Sequence, residues 1–144
     1  MLWGDLDYLF IDLPPGTGDT QISLIQNAKV EGAIVVSTPQ DVAFLDARKA
    51  IGLFQTVKVP IAGVIENMSS FHCPKCQAET AIFGNGGVRD AARRMGLPFL
   101  GQVPIDLEIR IGSDQGTPLV AGHPKSPQSV AFVKMAKALK DGRA

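Results

Sequence analysis

The stretch that most constrains the fold is DLDYLFIDLPPGTGD, residues 5–19. Its apolar run Tyr8–Ile11 does not alternate with polar residues, which is typical of a strand covered on both faces in a parallel α/β sheet. The run stops at Asp12, and the prolines that follow cannot continue a hydrogen-bonded ladder. We therefore predict a buried strand that ends at about Leu13, then a glycine turn, then a helix that Asp19 caps.

The acid at the carboxyl end of this strand indicates a ligand site. Open α/β sheets bind ligands beyond the carboxyl ends of their strands. A carboxylate such as Asp12 can hold Mg²⁺ through water beside a nucleotide, and Gly16 and Gly18 let the turn approach a ligand closely. The alternative is a strand that ends in Asp only because Asp favours turns.

Three more apolar runs predict strands, at Gly32–Ser37, Pro60–Glu66 and Pro98–Val103. Between and after them, helical periodicity predicts a helix capped by Asp41, a helix over residues 85–95, a short helix over 107–111, and a last helix capped by Ser126 with Pro127 at its first position. Alternating strands and helices indicate right-handed crossovers and a doubly wound parallel sheet. We expect the ends of the four strands to lie on one edge, namely Asp12, Ser37, Asn67 and Val103.

Length and composition narrow the class of protein. A chain of 144 residues suits one domain, covering 1–144. Its 14 basic residues balance 14 acidic ones, so strong binding to nucleic acid or to an anionic membrane is not expected. No apolar run could span a bilayer, and the amino terminus lacks the pattern of a secretory signal. Because two cysteines cannot build a disulfide framework, we expect a reducing cytoplasm.

The clearest chemical motif is Cys73-Pro-Lys-Cys76, within an irregular segment at about 68–80 that we expect to be a loop or small hairpin. Two thiols at this spacing can bind one metal together, but a tetrahedral site needs four ligands. His72 and His123 could complete a zinc site. A symmetric dimer would instead bring four thiolates together, enough for an iron–sulfur cluster. A redox pair is a third interpretation, although the residues after Cys76 do not resemble the helix that such a motif opens.

The glycine cluster Gly84–Gly87 could pass for a phosphate loop, but a turn or the entry to a helix is the commoner meaning of such a cluster. A Walker A loop requires Gly-Lys followed by Ser or Thr, and no lysine of this chain follows a glycine.

Five segments together resemble one family: WGDLDYLFIDLPPGTGD, STPQDVAFLDARKA, GVIENMSSFHCPKC, IFGNGG and LGQVPIDLEIR. They resemble the Mrp/ApbC family of P-loop ATPases, which are iron–sulfur cluster carriers related to the MinD ATPases. The resemblance spans nearly the whole chain and begins just before the Walker B strand. It implies a partial P-loop NTPase fold of the parallel α/β class without the Walker A strand and loop, and therefore an exposed apolar sheet edge.

The resemblance also implies roles for individual residues. Asp12 matches the Walker B carboxylate, and Pro14-Pro15-Gly16 matches the switch II turn that senses the γ-phosphate. On the base side of the nucleotide, Asn67 matches an asparagine that contacts adenine, and Pro104 and Asp106 match the loop against the base. Cys73 and Cys76 match the pair that holds a [4Fe–4S] cluster bridging two subunits.

The function that the resemblance implies is a homodimeric carrier that passes a labile cluster to apo-proteins, with ATP and Mg²⁺ changing the state of the dimer. Without a Walker A loop, we expect this chain alone to bind ATP weakly and not to hydrolyse it. The alternative function is a non-catalytic module for zinc binding or dimerisation.

Overall fold

The computed structural model, which describes residues 4–14, 16 and 18–142, builds the chain around one sheet. The elements in chain order are α1 (Asp19–Asn27), β1 (Ala33–Ser37), α2 (Asp41–Thr56), β2 (Ile61–His72), β3 (Glu79–Thr80), α3 (Gly87–Arg94), β4 (Phe99–Ile105), α4 (Leu107–Gln115), α5 (Leu119–Gly122) and α6 (Pro127–Lys140).

The sheet is organised around its longest strand, β2. Strand β2 pairs in parallel with β1 and with β4, and its far end pairs antiparallel with the two-residue β3. Ser37 lies opposite Glu66, and Asn67 lies opposite Val103, so the carboxyl ends of three parallel strands meet at one edge. The predicted α/β class is confirmed, with β3 as an antiparallel addition.

The core lies between the parallel strands and helices α2 and α3. Ile51 of α2, Val64 of β2 and Val88 of α3 are fully buried. Buried apolar residues form three small clusters, which are Ala33, Phe54 and Val59; Val35, Ala47 and Ile51; and Val64, Val88 and Ala92. Helix α6 packs on β4, where a Cβ on Gly101 would lie 3.1 Å from Met135 Cγ. Among the residues described, no helix is both long and apolar enough to cross a bilayer.

The predicted first strand is wrong. Within residues 4–14, no residue is assigned to a strand. Tyr8 is 61% exposed and Phe10 is 72% exposed, and their rings stack on each other at 6.4 Å. An apolar run becomes a buried strand only if a neighbouring strand supplies hydrogen bonds to its backbone. In the part of the chain that the structure describes, β1 pairs with β2 and not with this run. The run is therefore left as an exposed apolar segment.

Several predicted boundaries shift for local reasons. Asp19 and Asp41 are the first residues of α1 and α2, and the caps are Gly18 and Gln40, so each acid acts at the positive end of the helix dipole. Ser126 is the cap that was predicted, and its Oγ accepts from Ser129 N at 3.1 Å.

The remaining shifts concern lengths. Helix α3 begins later than predicted, α4 runs further to Gln115, and a short α5 lies where no helix was predicted. Strand β2 does not stop at Asn67 but continues five residues to His72. That extension carries the cysteine motif.

Candidate functional site

The cysteine motif lies at the tip of a hairpin that extends from the central strand. We call residues 69–80 the cysteine hairpin: the end of β2, a tight turn, and β3. Cys73 N donates to Ala78 O at 3.0 Å, and Gln77 N donates to Cys73 O at 2.8 Å. Gln77 takes a left-handed conformation with φ of 59° to close the turn. The predicted hairpin is confirmed, and both thiols are free.

The two thiols differ in their surroundings. Cys76 is exposed and Cys73 is half-buried. The backbone N–H groups of Cys76 and then Lys75 donate toward Cys73 Sγ, the Cys76 side chain adds a further hydrogen bond, and together they lower the pKa of the Cys73 thiol. Because the thiolate is the form that binds metals, the turn prepares Cys73 as a ligand.

The histidines do not join the cysteines in one site. His72 Nε2 lies 3.8 Å from Glu79 Oε1 across the hairpin, and His123 Nε2 lies 3.8 Å from Glu108 Oε2 near α5. Over the described ranges, no group of three or more His, Cys, Asp or Glu side chains is arranged to hold a metal ion. The suggested pairing of His72 and His123 with the thiols on one zinc is therefore not formed within one chain.

The Gly84–Gly87 loop receives a protein carboxylate in its amide groups. Glu66 is fully buried, with one carboxylate oxygen accepting from Gly86 N at 3.1 Å and the other accepting from Val88 N at 2.9 Å. Gln102 Nε2 donates to the first of these oxygens at 2.6 Å. The start of α3 thus binds an anion that the chain itself supplies. The interpretation as a phosphate loop is wrong for these amides.

The glycines of this loop are needed for packing. A Cβ on Gly87 would lie 2.8 Å from the carbonyl oxygen of Pro39, which no real Cβ tolerates. Gly86 has φ of 75°, a conformation that favours glycine. The loop is therefore pressed against the end of β1 on one side and held by Glu66 on the other.

The residues proposed for the base side of a nucleotide come together at the edge of the sheet. Asn67 lies opposite Val103 in the register of β2 and β4, which places it beside Pro104. Its Oδ1 accepts from Met68 N at 2.9 Å. Met68 is 41% exposed and has φ of 56°, so the ladder between β2 and β4 becomes irregular directly after Asn67.

Asp106 is already occupied by contacts within the protein. Its Oδ1 accepts from Glu108 N at 2.7 Å and caps α4, while its Oδ2 accepts from Gln128 Nε2 at 2.5 Å. These bonds join the end of β4 to α4 and α6. The carboxylate therefore holds the junction between β4 and α4 in place.

Asp12 and Gly16 lie elsewhere. Leu13, which follows Asp12, packs against the cluster of Ala33, Phe54 and Val59 at the amino-terminal ends of the strands. Asp12 is exposed, and Gln21 Nε2 donates to the carbonyls of Pro14 at 2.8 Å and Gly16 at 3.2 Å. The structure thus does not bring Asp12 to the edge that holds Asn67. Pro15, the middle residue of the predicted switch turn, lies outside the described residues.

Three residues of this region were missed by sequence reasoning, namely Glu66, Gln102 and Gln128. A carboxylate at the end of an otherwise apolar run was the available signal for Glu66, since a buried acid requires donors. The partners lie 20 or more positions away in the chain, and nothing local indicates which amides they are.

Comparison with known proteins decides the family. A family model described as "ParA: NUBPL iron-transfer P-loop NTPase" matches residues 1–140. This chain belongs to that family. The predicted resemblance to iron–sulfur cluster carriers related to MinD is confirmed.

Curated relatives of the chain carry names in keeping with the family. It is 51% identical over 135 residues to the "Iron-sulfur protein required for NADH dehydrogenase, mitochondrial" of Arabidopsis thaliana, covering 94% of this chain and 43% of the relative. It is 51% identical over 137 residues to the "Iron-sulfur cluster carrier protein" of Aquifex aeolicus, covering 95% of this chain and 38% of the relative. The chain therefore spans about four-tenths of the length of these relatives.

Solved structures show the same fold. A nucleotide-binding protein of Archaeoglobus fulgidus in complex with ADP is similar with a TM-score of 0.74 and 40% identity, over 90% of this chain and 52% of that one. The septum site-determining protein MinD of Pyrococcus horikoshii, complexed with Mg-ADP, is similar with a TM-score of 0.75 and 26% identity, over 95% of this chain and 51% of that one. The chain has the fold of about half of a MinD-type P-loop NTPase.

Proposed function

We propose that the protein is an iron–sulfur cluster carrier whose Cys73 and Cys76 bind a [4Fe–4S] cluster together with the same two residues of a second copy. The observation that carries this proposal is the cysteine hairpin. It places two free thiols at an accessible tip and lowers the pKa of one of them through backbone amides. The relative named as an iron–sulfur cluster carrier supports an iron–sulfur cluster as the ligand.

A cubane cluster explains why two chains are required. Such a cluster is held by four thiolates, and the sequence contains two cysteines. A two-fold axis through the hairpin tips supplies the other two without any further residue type. Exposure of Cys76 at the tip suits both the shared site and the release of the cluster to an apo-protein client.

Anaerobic reconstitution with iron and sulfide distinguishes this proposal from the other uses of the motif. We expect iron and sulfide in equal amounts and the broad visible absorbance of a thiolate-ligated cluster. Colourless protein that retains zinc would instead support the binding or dimerisation module. A reversible disulfide with neither metal would support a redox pair. Reconstitution should be done in reducing buffer, since we propose a reducing compartment, the cytoplasm, as the site of action.

We further propose that Asn67, Pro104 and Asp106 serve the base side of an ATP site, and that Asp12 and Gly16 serve its Mg²⁺ and phosphate side. The neighbouring positions of Asn67 and Pro104 and the ADP-bound relative support the first part. In this chain the two groups do not form one site, and the amides of Gly86 and Val88 at the start of α3 donate to Glu66. The residues present therefore do not fit the phosphates of ATP, and we derive no hydrolytic step.

A further inference from the structure

We propose that Glu66 is a positioning residue that clamps the base of the cysteine hairpin. Glu66 lies in β2 three residues before the cysteine hairpin, and the chain beyond the hairpin returns to the core at Gly86. The Glu66 carboxylate joins these two parts of the chain through Gly86 N at 3.1 Å and Val88 N at 2.9 Å. Its role in holding the cargo rests on the proposed function, while the clamp itself does not.

The contacts of Glu66 explain how one side chain can set the position of the hairpin. A buried carboxylate is stable only when donors surround it, and amide donors to a charged oxygen are stronger and more directional than neutral pairs. Three donors from three places converge here: the loop before α3, the first turn of α3, and Gln102 of β4. Gln102 Nε2 also lies 3.3 Å from Asn85 Oδ1, which ties the same loop to β4 a second time.

The return limb of the hairpin depends on this clamp more than the outgoing limb does. The outgoing limb is continuous with β2 and is paired with β4 where Phe71 lies opposite Ile105. The return limb pairs with β2 only where Thr80 lies opposite Phe71 and Glu79 opposite His72, and both of its residues are exposed. Further along the chain, the fully buried Glu66 holds its backbone through Gly86 N.

The position of Glu66 also links the hairpin to the edge of the sheet. Glu66 is adjacent to Asn67, which we propose to contact a base. A shift of the strand at Asn67 would move the carboxylate and, through its amide partners, the return limb that follows Cys76. The clamp is therefore the structural connection between the proposed base site and the proposed cluster site.

Hydrogen–deuterium exchange of the metal-free protein tests the clamp. Glu66→Gln keeps one acceptor oxygen but turns an NH₂ group toward an amide donor, so the buried N–H of Gly86 or Val88 loses its partner. We expect amides of residues 73–86 to exchange at least roughly tenfold faster, because a lost buried hydrogen bond lowers the local opening free energy by that order. Amides of β1 and α2 should exchange as in the wild type. Glu31→Gln, at an exposed position, is the matched control.

Cobalt titration, followed by thiolate-to-cobalt absorption, supplies the second readout. We expect weaker Co²⁺ binding in Glu66→Gln than in the wild type or in Glu31→Gln. Unchanged hairpin exchange together with unchanged Co²⁺ affinity would overturn the clamp. If Glu66→Gln does not fold, Gln102→Ala decides, since it removes one donor and leaves the carboxylate. Faster hairpin exchange in Gln102→Ala supports the clamp and unchanged exchange overturns it. A wild type that binds neither cobalt nor cluster would contradict the proposed function, while the exchange data would still test the clamp.

Discussion

At the scale of single residues, the thiol of Cys73 is tuned by the backbone. The N–H groups of Cys76 and Lys75 lower the pKa of this thiol, so Lys75 acts through its backbone amide. Because the pKa of this thiol is lower in the folded protein than in the unfolded chain, its ionisation stabilises the fold. This contribution is fully present above the pKa of the unfolded chain and is lost as the pH falls through the pKa of the folded protein.

We therefore predict that Cys73 reacts with iodoacetamide at a lower pH than an ordinary thiol does, and that Lys75→Gln leaves this midpoint nearly unchanged. The amide remains after the substitution, while the ammonium is lost. The measurement is the rate of Cys73 alkylation against pH in a Cys76→Ser background, compared with the unfolded chain. A midpoint that rises to the unfolded value in Lys75→Gln would show that the side-chain charge sets the pKa.

Gly87 is a second residue whose role is set by its neighbour. Because a Cβ would lie 2.8 Å from Pro39 O, the backbone at one of the two residues must shift, and we predict that Gly87→Ala lowers the free energy of unfolding by about 1–3 kcal/mol, the range typical of overpacking. Gly52→Ala in α2 is the control, since its Cβ would meet nothing within 4 Å. Removing glycine from a helix interior should stabilise by roughly 0.5–1 kcal/mol. Urea denaturation measures both, and equal effects of the two substitutions would contradict the packing argument.

At the scale of elements, the parts predicted from the sequence are those that local pattern specifies. Strand β1 and helices α2 and α6 occur where apolar periodicity and a Ser-Pro start predict them. The extension of β2 and the hydrogen bonds of Asp106 could not be predicted in this way. The extension depends on pairing with β3 and β4. Asp106 accepts a hydrogen bond from Gln128, which lies 22 positions later in the chain.

The segment at residues 4–14 shows the limit of pattern most directly. Its apolar run predicts a strand, yet a strand also needs a neighbour with free backbone groups, and composition does not reveal whether one is there. The same reasoning applies to the Asp12 site, whose predicted place at the carboxyl edge depended on that strand.

We predict that Phe10→Ser reduces the binding of an apolar fluorescent dye and slows aggregation without lowering the free energy of unfolding. Phe10 is 72% exposed, so folding gains little from burying it. Phe54→Ala is the contrasting variant, because Phe54 is 8% exposed and its loss should cost about 3–5 kcal/mol. Dye fluorescence and urea denaturation measure the two effects. Destabilisation by Phe10→Ser equal to that of Phe54→Ala would mean that the segment is packed in solution.

At the scale of the whole molecule, one sheet carries both the cysteine hairpin and the residues proposed for the base side of a nucleotide, while the residues proposed for the phosphates are not assembled. We therefore predict weak or no ATP binding and no ATP hydrolysis by this chain alone. Titration calorimetry with ATP and Mg²⁺ measures the affinity, and an ADP titration serves as the comparison. Micromolar binding would show that the chain builds a phosphate site that its geometry does not show.

The central claim is that two copies of the chain hold one cluster through Cys73 and Cys76, and native mass spectrometry of the anaerobically reconstituted protein tests it most directly. We predict one species with the mass of two 15.3 kDa chains and a single [4Fe–4S] cluster. Cys73→Ser should lose the cluster and the cluster-dependent dimer together, with an unchanged circular dichroism spectrum. A Cys73→Ser protein that keeps its full iron and stays dimeric, or a single wild-type chain that carries the whole cluster, would contradict the account.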